Sequence, residues 1–367
     1  MRKLIIGAVA ALALLSVPAA AGVATAAPAA TCAAASTSDS LYVGDAGDNT
    51  VKQFDAATGC YQGVFVSASE GLDGPRGILH EGNFLHEGNF LVSNQNIDQT
   101  YAGEIDQYSQ VDGQSLGALV PHTDANAPFD PDGIILGPDK STLYVADIGD
   151  SCPTCNVGRV ATYDAKTGRF LGNLDFSRFI SNSAINPTGE FRPRGLVFGP
   201  DGLLYVSLRS LTEPTLGWIL SYNTRTGAVK VVASNSGSGC STELHRPDGL
   251  TFGPDGKLYV TSFQASPTDI DRILIFNTHT GACTDEIDLD QVGQPRAYAQ
   301  EILFGPRGYL FVPITGVAPN AGAVRRYDVH TKTFTNFIAP PPEGPLGTPY
   351  GLTFGKTNPT TLAYPSS

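Results

Sequence analysis

The chain has 367 residues, of which 41% are hydrophobic and only 16% are charged, with 41 glycines and 26 prolines. This composition excludes a disordered chain and a multi-span membrane protein, and it favours many short strands joined by turns over long surface helices. The formal net charge of −12 argues against nucleic acid and against an anionic membrane surface as partners, because the protein's field repels both.

The N-terminus has the pattern of an export signal. Arg2 and Lys3 precede an apolar stretch over residues 4–15, and small residues follow up to Ala24-Thr25-Ala26. This order predicts a secretory signal peptide over residues 1–26, a linker over 27–40 and a single domain over 41–367. We therefore expect a secreted, extracellular protein.

All six cysteines lie after the predicted cleavage site, and an even number in an exported protein indicates disulfides. The CxxC pair has neither a second CxxC nor a nearby histidine, so it predicts a local loop disulfide rather than a zinc or redox site. Positions in the repeat described below suggest the other two pairs. The expected bridges are Cys152–Cys155, Cys32–Cys60 and Cys240–Cys283.

One kind of β-hairpin recurs along the chain at intervals of about 50 to 62 residues. Its clearest copies read GLVFGPDGLLYV and GLTFGPDGKLYV, in which a short apolar strand, a polar turn and a second strand follow one another. The six copies start at Gly77, Gly133, Gly195, Gly249, Glu301 and Gly351.

A second kind of hairpin follows the first each time. Its turn is Thr-Gly or Asp-Gly in five of six copies, which supplies a residue that tolerates positive φ. Each repeat unit therefore has four strands, named a to d in chain order. The second hairpins cover residues 51–66, 104–120, 159–175, 218–234, 272–288 and 323–339.

The order of the hairpins indicates a closed ring. The chain begins with a second hairpin and ends with a first one, so its two ends complete one blade together. This predicts an all-β fold, a six-bladed β-propeller, rather than an open solenoid or two sandwiches. Strand b of the closing blade is either residues 41–43 or residues 362–364.

The GPDGxLYV core followed by a YDxxTG hairpin resembles the NHL-repeat superfamily of six-bladed propellers. That group includes the gluconolactonase/senescence-marker proteins and virginiamycin B lyase. The resemblance covers residues 41–364 and implies the architecture. It leaves the activity open, because such scaffolds carry hydrolases, lyases and binding modules.

The residue before the glycine of each strand a is expected at one mouth of the central channel. These positions vary within a uniform repeat, as a ligand site on a symmetric scaffold does. They are Arg76, Asp132, Arg194, Asp248, Gln300 and Tyr350, which we call the ring. Glu301 occupies the glycine position of its copy. The b–c loops should reach the same mouth with Asp45, Asn94, Asp147, Arg209 and Gln264.

The resemblance implies a divalent-metal site at this mouth, with Asp248 of Pro247-Asp248-Gly249 as the best-matched ligand and Asp132 as the next. Arg76 and Arg194 depart from that pattern, and the Glu-Gly-Pro and Asn-Gly ligand motifs of the gluconolactonase-like group are missing. Two other interpretations stay open: a ring of ion pairs, and a metal-free pocket in which Arg76 or Arg194 holds an anion.

An acid/base pair of the virginiamycin-lyase type would need a His and a Glu on adjacent inner strands. His245 and Glu301, from blades 4 and 5, are the catalytic candidates. No G-x-S-x-G motif is present. Asp45 and Asp147 are expected to hold loops by hydrogen bonds rather than to bind calcium.

We therefore expect a monomer that binds a small molecule, a glycan or an extracellular protein over the mouth, without a cofactor. The alternative is a lactonase-like hydrolase or a lyase at the same mouth, with Asp248, Glu301 and His245 central. In that case a Ca²⁺, Mg²⁺ or Zn²⁺ ion would lie in the channel.

Overall fold

Six four-stranded antiparallel sheets form the protein. The computed structural model describes residues 39–82, 88–97, 102–149, 157–235, 240, 244–317 and 321–365. The predicted signal peptide and nearly all of the predicted linker lie outside these ranges and stay predictions.

The strands follow the chain blade by blade. The closing blade, blade 6, has β1 (Ser40–Asp45), β2 (Thr50–Asp55) and β3 (Tyr61–Val66) as strands b to d. Blade 1 has β4 (Pro75–His80), β5 (Phe90–Asn94), β6 (Glu104–Tyr108) and β7 (Ser115–Val120). Blade 2 has β8 (Pro131–Leu136), β9 (Thr142–Asp147), β10 (Arg159–Asp164) and β11 (Phe170–Asn173).

The second half repeats this order. Blade 3 has β12 (Pro193–Phe198), β13 (Leu204–Arg209), β14 (Gly217–Tyr222) and β15 (Val229–Ser234). Blade 4 has β16 (Pro247–Phe252), β17 (Leu258–Ser262), β18 (Arg272–Phe276) and β19 (Cys283–Asp288). Blade 5 has β20 (Leu303–Phe304), β21 (Leu310–Ile314), β22 (Ala323–Asp328) and β23 (Thr333–Ile338), and β24 (Pro349–Phe354) follows.

In the part of the chain that the structure describes, helix is confined to short segments. They are α1 (Ser177–Ile180) and the 3₁₀ turns Ala68–Glu70 and Pro306–Gly308. Within the described ranges no helix has both the length and the apolar character needed to cross a bilayer.

The chain's two ends meet in blade 6. Strand β24 pairs with β1, with Leu41 opposite Phe354 and Val43 opposite Leu352. Strand b of the closing blade is therefore the N-terminal segment, and residues 362–364 lie outside the strands. The predicted six-bladed propeller and its mode of closure are confirmed.

The c–d turns explain the recurrent glycine. In blades 1 and 2, Gly113 and Gly168 have φ of 69° each, in the left-handed region. The copy in blade 5 lacks glycine, yet Lys332 adopts the same conformation with φ of 58°. The turn geometry is therefore common to all copies, and glycine is the residue that adopts it at least cost.

Aromatic pairs join neighbouring blades. In the LYV strand of one blade, the Tyr ring meets edge-on the Phe ring that ends strand a of the next blade. Tyr205 and Phe252 have ring centroids 5.1 Å apart, and Tyr259 and Phe304 are 4.9 Å apart. The repeated sequence thus encodes contacts between blades as well as strands within them.

The inner strands come so close together that only glycine fits at the position directly after the ring residue. A Cβ added to Gly77 would lie 2.5 Å from the carbonyl oxygen of Asp132, and one added to Gly133 would lie 2.5 Å from that of Arg194. In blades 1 to 4 the pairing of strand a with strand b shifts register between the Pro and the apolar residue after this Gly. The ring residue and its glycine therefore form a bulge, which releases the ring side chain from the sheet.

One predicted disulfide lies within the described residues. Cys240 and Cys283 are bonded, as expected. Cys60 is also disulfide-bonded. Cys32, Cys152 and Cys155 lie outside the described residues, so the other two pairs stay predictions.

The segment after β24 crosses the end of the channel opposite the ring. The backbone N–H of Leu136 in blade 2 donates to the carbonyl of Pro359 at 2.9 Å, and the Tyr364 hydroxyl donates to Asp39 at 2.7 Å. Between these anchors Leu362 meets the apolar residues that follow the ring glycines, including Ile78 and Leu250. Only about 30 Å³ of space remains there.

Deleting residues 351–367 should abolish cooperative unfolding, because it removes most of strand a of blade 6 and the segment that crosses the channel. Thermal unfolding followed by circular dichroism measures this. Deletion of residues 365–367 alone is the control and should leave one sharp transition. A single transition at the full-length midpoint after the longer deletion would show that the ring closes elsewhere.

Candidate functional site

Charged side chains from four blades converge at the channel mouth. Asp132 and Asp248 are 6% and 2% exposed, and Arg194 is 5% exposed. The charges of Asp132, Arg194, Arg209 and Arg76 all act on Asp248. The structure therefore brings together ring residues that are more than fifty residues apart in the chain.

Two ion pairs form within this group. Arg194 Nη1 lies 3.4 Å from Asp132 Oδ2, and Arg209 Nη1 lies 3.4 Å from Asp248 Oδ2. Both distances are at the long limit of a hydrogen bond, so each pair has charge attraction without a tight bidentate contact. The partner of Asp248 comes from the end of strand b.

Arg76 has a different environment. Its Nε donates to Gln95 Oε1 at 2.8 Å, and its guanidinium lies 3.8 Å from the centroid of the Tyr350 ring. Its Nη1 is buried and has no hydrogen-bond partner among the described residues. Cation–π contact holds this guanidinium without neutralising it.

The environment of Asp248 disfavours its charge. Burial, with a smaller contribution from Asp132, raises the pKa of Asp248 to about 7, although Arg209, Arg194 and Arg76 oppose the shift. This carboxyl can therefore change its protonation near neutral pH.

Glu301 is the second acid with a raised pKa. Its side chain points at blade 6, where Oε2 accepts a hydrogen bond from the backbone N–H of Leu352 at 3.0 Å. It also lines the small space beside the apolar channel residues. Burial there, with smaller contributions from Asp132 and Asp248, raises its pKa to about 8. Glu301 is thus mainly a neutral acid at pH 7.

Gln300 and Tyr350 complete the ring. Gln300 is 9% exposed, and its backbone carbonyl oxygen lies against Gly249 of the neighbouring inner strand. Tyr350 supports Arg76 as described. We call the six ring residues together with Arg209 and Glu301 the mouth cluster.

The other predicted catalytic residue lies in a different environment. His245 Nδ1 is 3.3 Å from Asp269 Oδ2 in the b–c loop of blade 4, and its backbone N–H donates to Ser262 Oγ at 3.0 Å. Asp269 in turn pairs with Arg272 at 2.8 Å. The hydrogen bond of Glu301 is with Leu352 in blade 6, so a joint acid/base role for His245 and Glu301 stays a prediction.

The b–c positions mostly hold loops. Asp147 accepts hydrogen bonds from the backbone N–H groups of Phe129 and Asp130 at 3.1 and 2.9 Å. Asp45 accepts from Gly347 and Thr348 at 2.7 Å each. Asn94 and Gln264 also hydrogen-bond within loops. Hydrogen bonding of this kind is the role expected for Asp45 and Asp147. Arg209 instead pairs with the ring residue Asp248.

A second group of cationic and aromatic side chains adjoins the ring, and the repeat pattern did not predict it. Arg296 lies 4.9 Å from the Tyr298 ring centroid and pairs with Asp271 at 2.6 Å. Burial and the nearby charge of Arg296 lower the pKa of Arg246. Tyr298 acts electrostatically on both Arg209 and Arg246, which connects this group to the mouth cluster. One feature of the sequence could have indicated this group: Arg246 directly precedes Pro247-Asp248-Gly249.

The donor set does not fit a divalent cation. Asp132 and Asp248 come from different blades, and each lies beside a guanidinium that a bound cation would repel. Among the described residues there is no group of three or more His, Cys, Asp or Glu side chains arranged to hold a metal ion.

Glu301→Gln should stabilise the fold at alkaline pH. The folded protein keeps Glu301 protonated up to about pH 8, whereas an unfolded glutamate ionises near 4.5. The penalty is absent below pH 4.5, grows as pH rises and levels off above pH 8, so the gain should be on the order of 2–4 kcal/mol at pH 8 and small at pH 4.5.

Urea unfolding of the wild type and the variant at both pH values measures this difference. Glu213→Gln, at an exposed glutamate, is the control and should change neither value. Equal gains at pH 4.5 and pH 8 would contradict the assignment of a raised pKa to Glu301.

Comparison with known proteins identifies the fold. No family model and no curated protein matches the sequence. Many solved structures match, among them the periplasmic gluconolactonase of Pseudomonas aeruginosa, with a TM-score of 0.53 at 14% identity over 86% of this chain and 98% of that one.

An inactive virginiamycin B lyase of Staphylococcus aureus matches with a TM-score of 0.51 at 13% identity over 85% of each chain. A protein of unknown function from Bacteroides caccae matches with 0.55 at 11% identity over 86% of this chain and 98% of that one. These neighbours include both kinds of protein that the repeat resembles. At such identities the likeness establishes the six-bladed propeller fold and leaves the activity to the site.

Proposed function

We propose that this protein binds a small anionic molecule, with a carboxylate as its charged group, at the mouth of the central channel. The observation that carries the proposal is the charge of the mouth cluster. Three guanidiniums face two aspartates and an acid that remains neutral at pH 7.

The net charge of the mouth cluster is opposite in sign to the formal net charge of the whole chain, which is −12. Burial raises the pKa of Asp248 and so disfavours its negative charge, which favours an excess of positive charge at the mouth. Arg246 adds a further guanidinium beside Tyr298. An anion supplied from solution would give the Arg76 guanidinium a charged acceptor, which it lacks among the described residues.

Arg76 is the best anchor for this anion. It already has its Nε bonded and its plane fixed over Tyr350, so little side-chain freedom is lost when Nη1 finds an acceptor. Arginine presents two parallel N–H groups that match a carboxylate. The ligand would be extracellular if the predicted signal peptide acts, and we propose a metal-free site on a monomer.

Arg76→Gln should weaken binding of carboxylates by about tenfold or more, because a charge-assisted hydrogen bond in a partly desolvated site is lost. Isothermal titration with a panel of sugar acids, and with the matching neutral sugars, measures this. Arg225→Gln, at an exposed arginine of a c–d turn, is the control.

We expect wild type and the Arg225 variant to prefer the acids over the neutral sugars, with affinity falling as salt concentration rises. Equal affinity for acids and neutral sugars, or equal loss in both variants, would contradict anion binding at Arg76.

A second candidate is a hydrolase or lyase at the same mouth. It is favoured by the two carboxyls with pKa values of about 7 and 8, which can hold or release a proton near a bound anion. The gluconolactonase and the lyase among the structural neighbours suggest lactones and cyclic depsipeptides as the first compounds to test.

If this second function holds, wild type should open an aldonolactone or a streptogramin B ring faster than buffer, and Asp248→Asn should reduce the rate at least a hundredfold. Product formation by mass spectrometry measures the reaction, and His245→Gln shows whether the histidine takes part. Rates equal to buffer for both classes of compound would leave the binding function alone.

A further inference from the structure

A cleft opens at the end of the propeller opposite the mouth cluster. Strand a of each blade begins at the mouth and ends at the a–b turn, so these turns surround the opposite end. The cleft has a volume of about 720 Å³, within the range of small-molecule sites. Its walls are the a–b turns of blades 3, 4 and 5 and the C-terminal segment.

The course of the C-terminal segment creates this cleft. The segment is anchored to blade 2 through Pro359 and to the N-terminal side of blade 6 through Tyr364 and Asp39. It therefore leaves the a–b turns of blades 3, 4 and 5 uncovered on one side. Thr361, Ala363 and Tyr364 form the wall that faces them.

Most of the lining is apolar. Phe198, Phe252 and Phe304, the residues that end three successive inner strands, form the floor together with Pro200 and Pro254. Phe252 is only half-buried. At Gly256 on the rim, an added Cβ would meet no atom within 4 Å. An apolar hollow of this size in contact with water is a feature of binding sites.

One charged side chain distinguishes the turn of blade 5. The turns of blades 3 and 4 read Gly-Pro-Asp-Gly, and their aspartates accept hydrogen bonds from the Tyr205 and Tyr259 hydroxyls at 2.8 and 3.3 Å. In blade 5 the corresponding strand residue is Phe311, which has no hydroxyl, and the turn reads Gly-Pro-Arg-Gly. Arg307 thus replaces an acid that has no partner to bind there.

Arg307 stands at the edge of the cleft with φ of 61°, exposed, and no ion pair or side-chain hydrogen bond is found for it among the described residues. A cation beside an apolar hollow complements a ligand with an apolar body and one negative charge. We propose that this cleft is a second binding site, which takes an amphipathic anion such as an aromatic or medium-chain aliphatic acid. The site is independent of the mouth cluster.

The test uses two fluorescent probes of similar shape. 8-Anilinonaphthalene-1-sulfonate carries an anionic group, and N-phenyl-1-naphthylamine is its uncharged counterpart. Folded wild type should bind one equivalent of each probe. Ala363→Trp should fill the cleft and abolish binding of both. Arg307→Gln should weaken the anionic probe about five- to tenfold and leave the neutral probe unchanged.

Controls separate this site from the mouth. Arg76→Gln should not change the affinity of either probe, whereas it should weaken sugar acids in the experiment above. Arg225→Gln controls for the loss of one positive charge, and thermal melts verify that each variant is folded. The proposal is overturned if wild type binds neither probe, if Ala363→Trp leaves binding intact, if Arg307→Gln weakens both probes equally, or if Arg76→Gln weakens the anionic one.

Discussion

The close approach of the inner strands around the channel is the constraint on which the rest of the structure depends. In blade after blade, a glycine lies directly against the carbonyl oxygen of the neighbouring strand, where no side chain fits. This contact forces the bulge that turns the preceding residue away from the sheet. Blade 5 is the exception. Its strand a is only two residues long, and Glu301 stands in the glycine position with its carboxyl bonded to the adjacent strand. The departure from the repeat thus places an acid inside the channel.

The mouth is a buried site that brings together side chains of both charges. Buried arginines are costly unless they are paired, and here the pairs are long and one guanidinium rests on an aromatic ring. The raised pKa values of Asp248 and Glu301 result from the same burial.

The repeat made the architecture predictable, because glycine, proline and Thr-Gly signals recur in register with the strands. The ring could be predicted for the same reason: Asp132 and Arg194 each stand before such a glycine. The pairing of Arg209 with Asp248 depends on the curvature of the sheet, and the group of Arg246, Arg296 and Tyr298 depends on an irregular loop before β20. Neither has a periodic signal. The choice of residues 41–43 as strand b was undecidable locally, because both candidate segments have strand-like patterns and only their contacts with β24 and β2 distinguish them.

Leu362 affects whether small molecules can pass through the central channel. The described residues leave only about 30 Å³ of space on the axis beside Leu362 and the surrounding aliphatic layer, and they form no open passage from one face to the other. The central channel is therefore closed at the end opposite the ring. A compound that reaches Arg76 must leave by the opening through which it came, and any cleavage fragments would have to depart past one another through that same entrance.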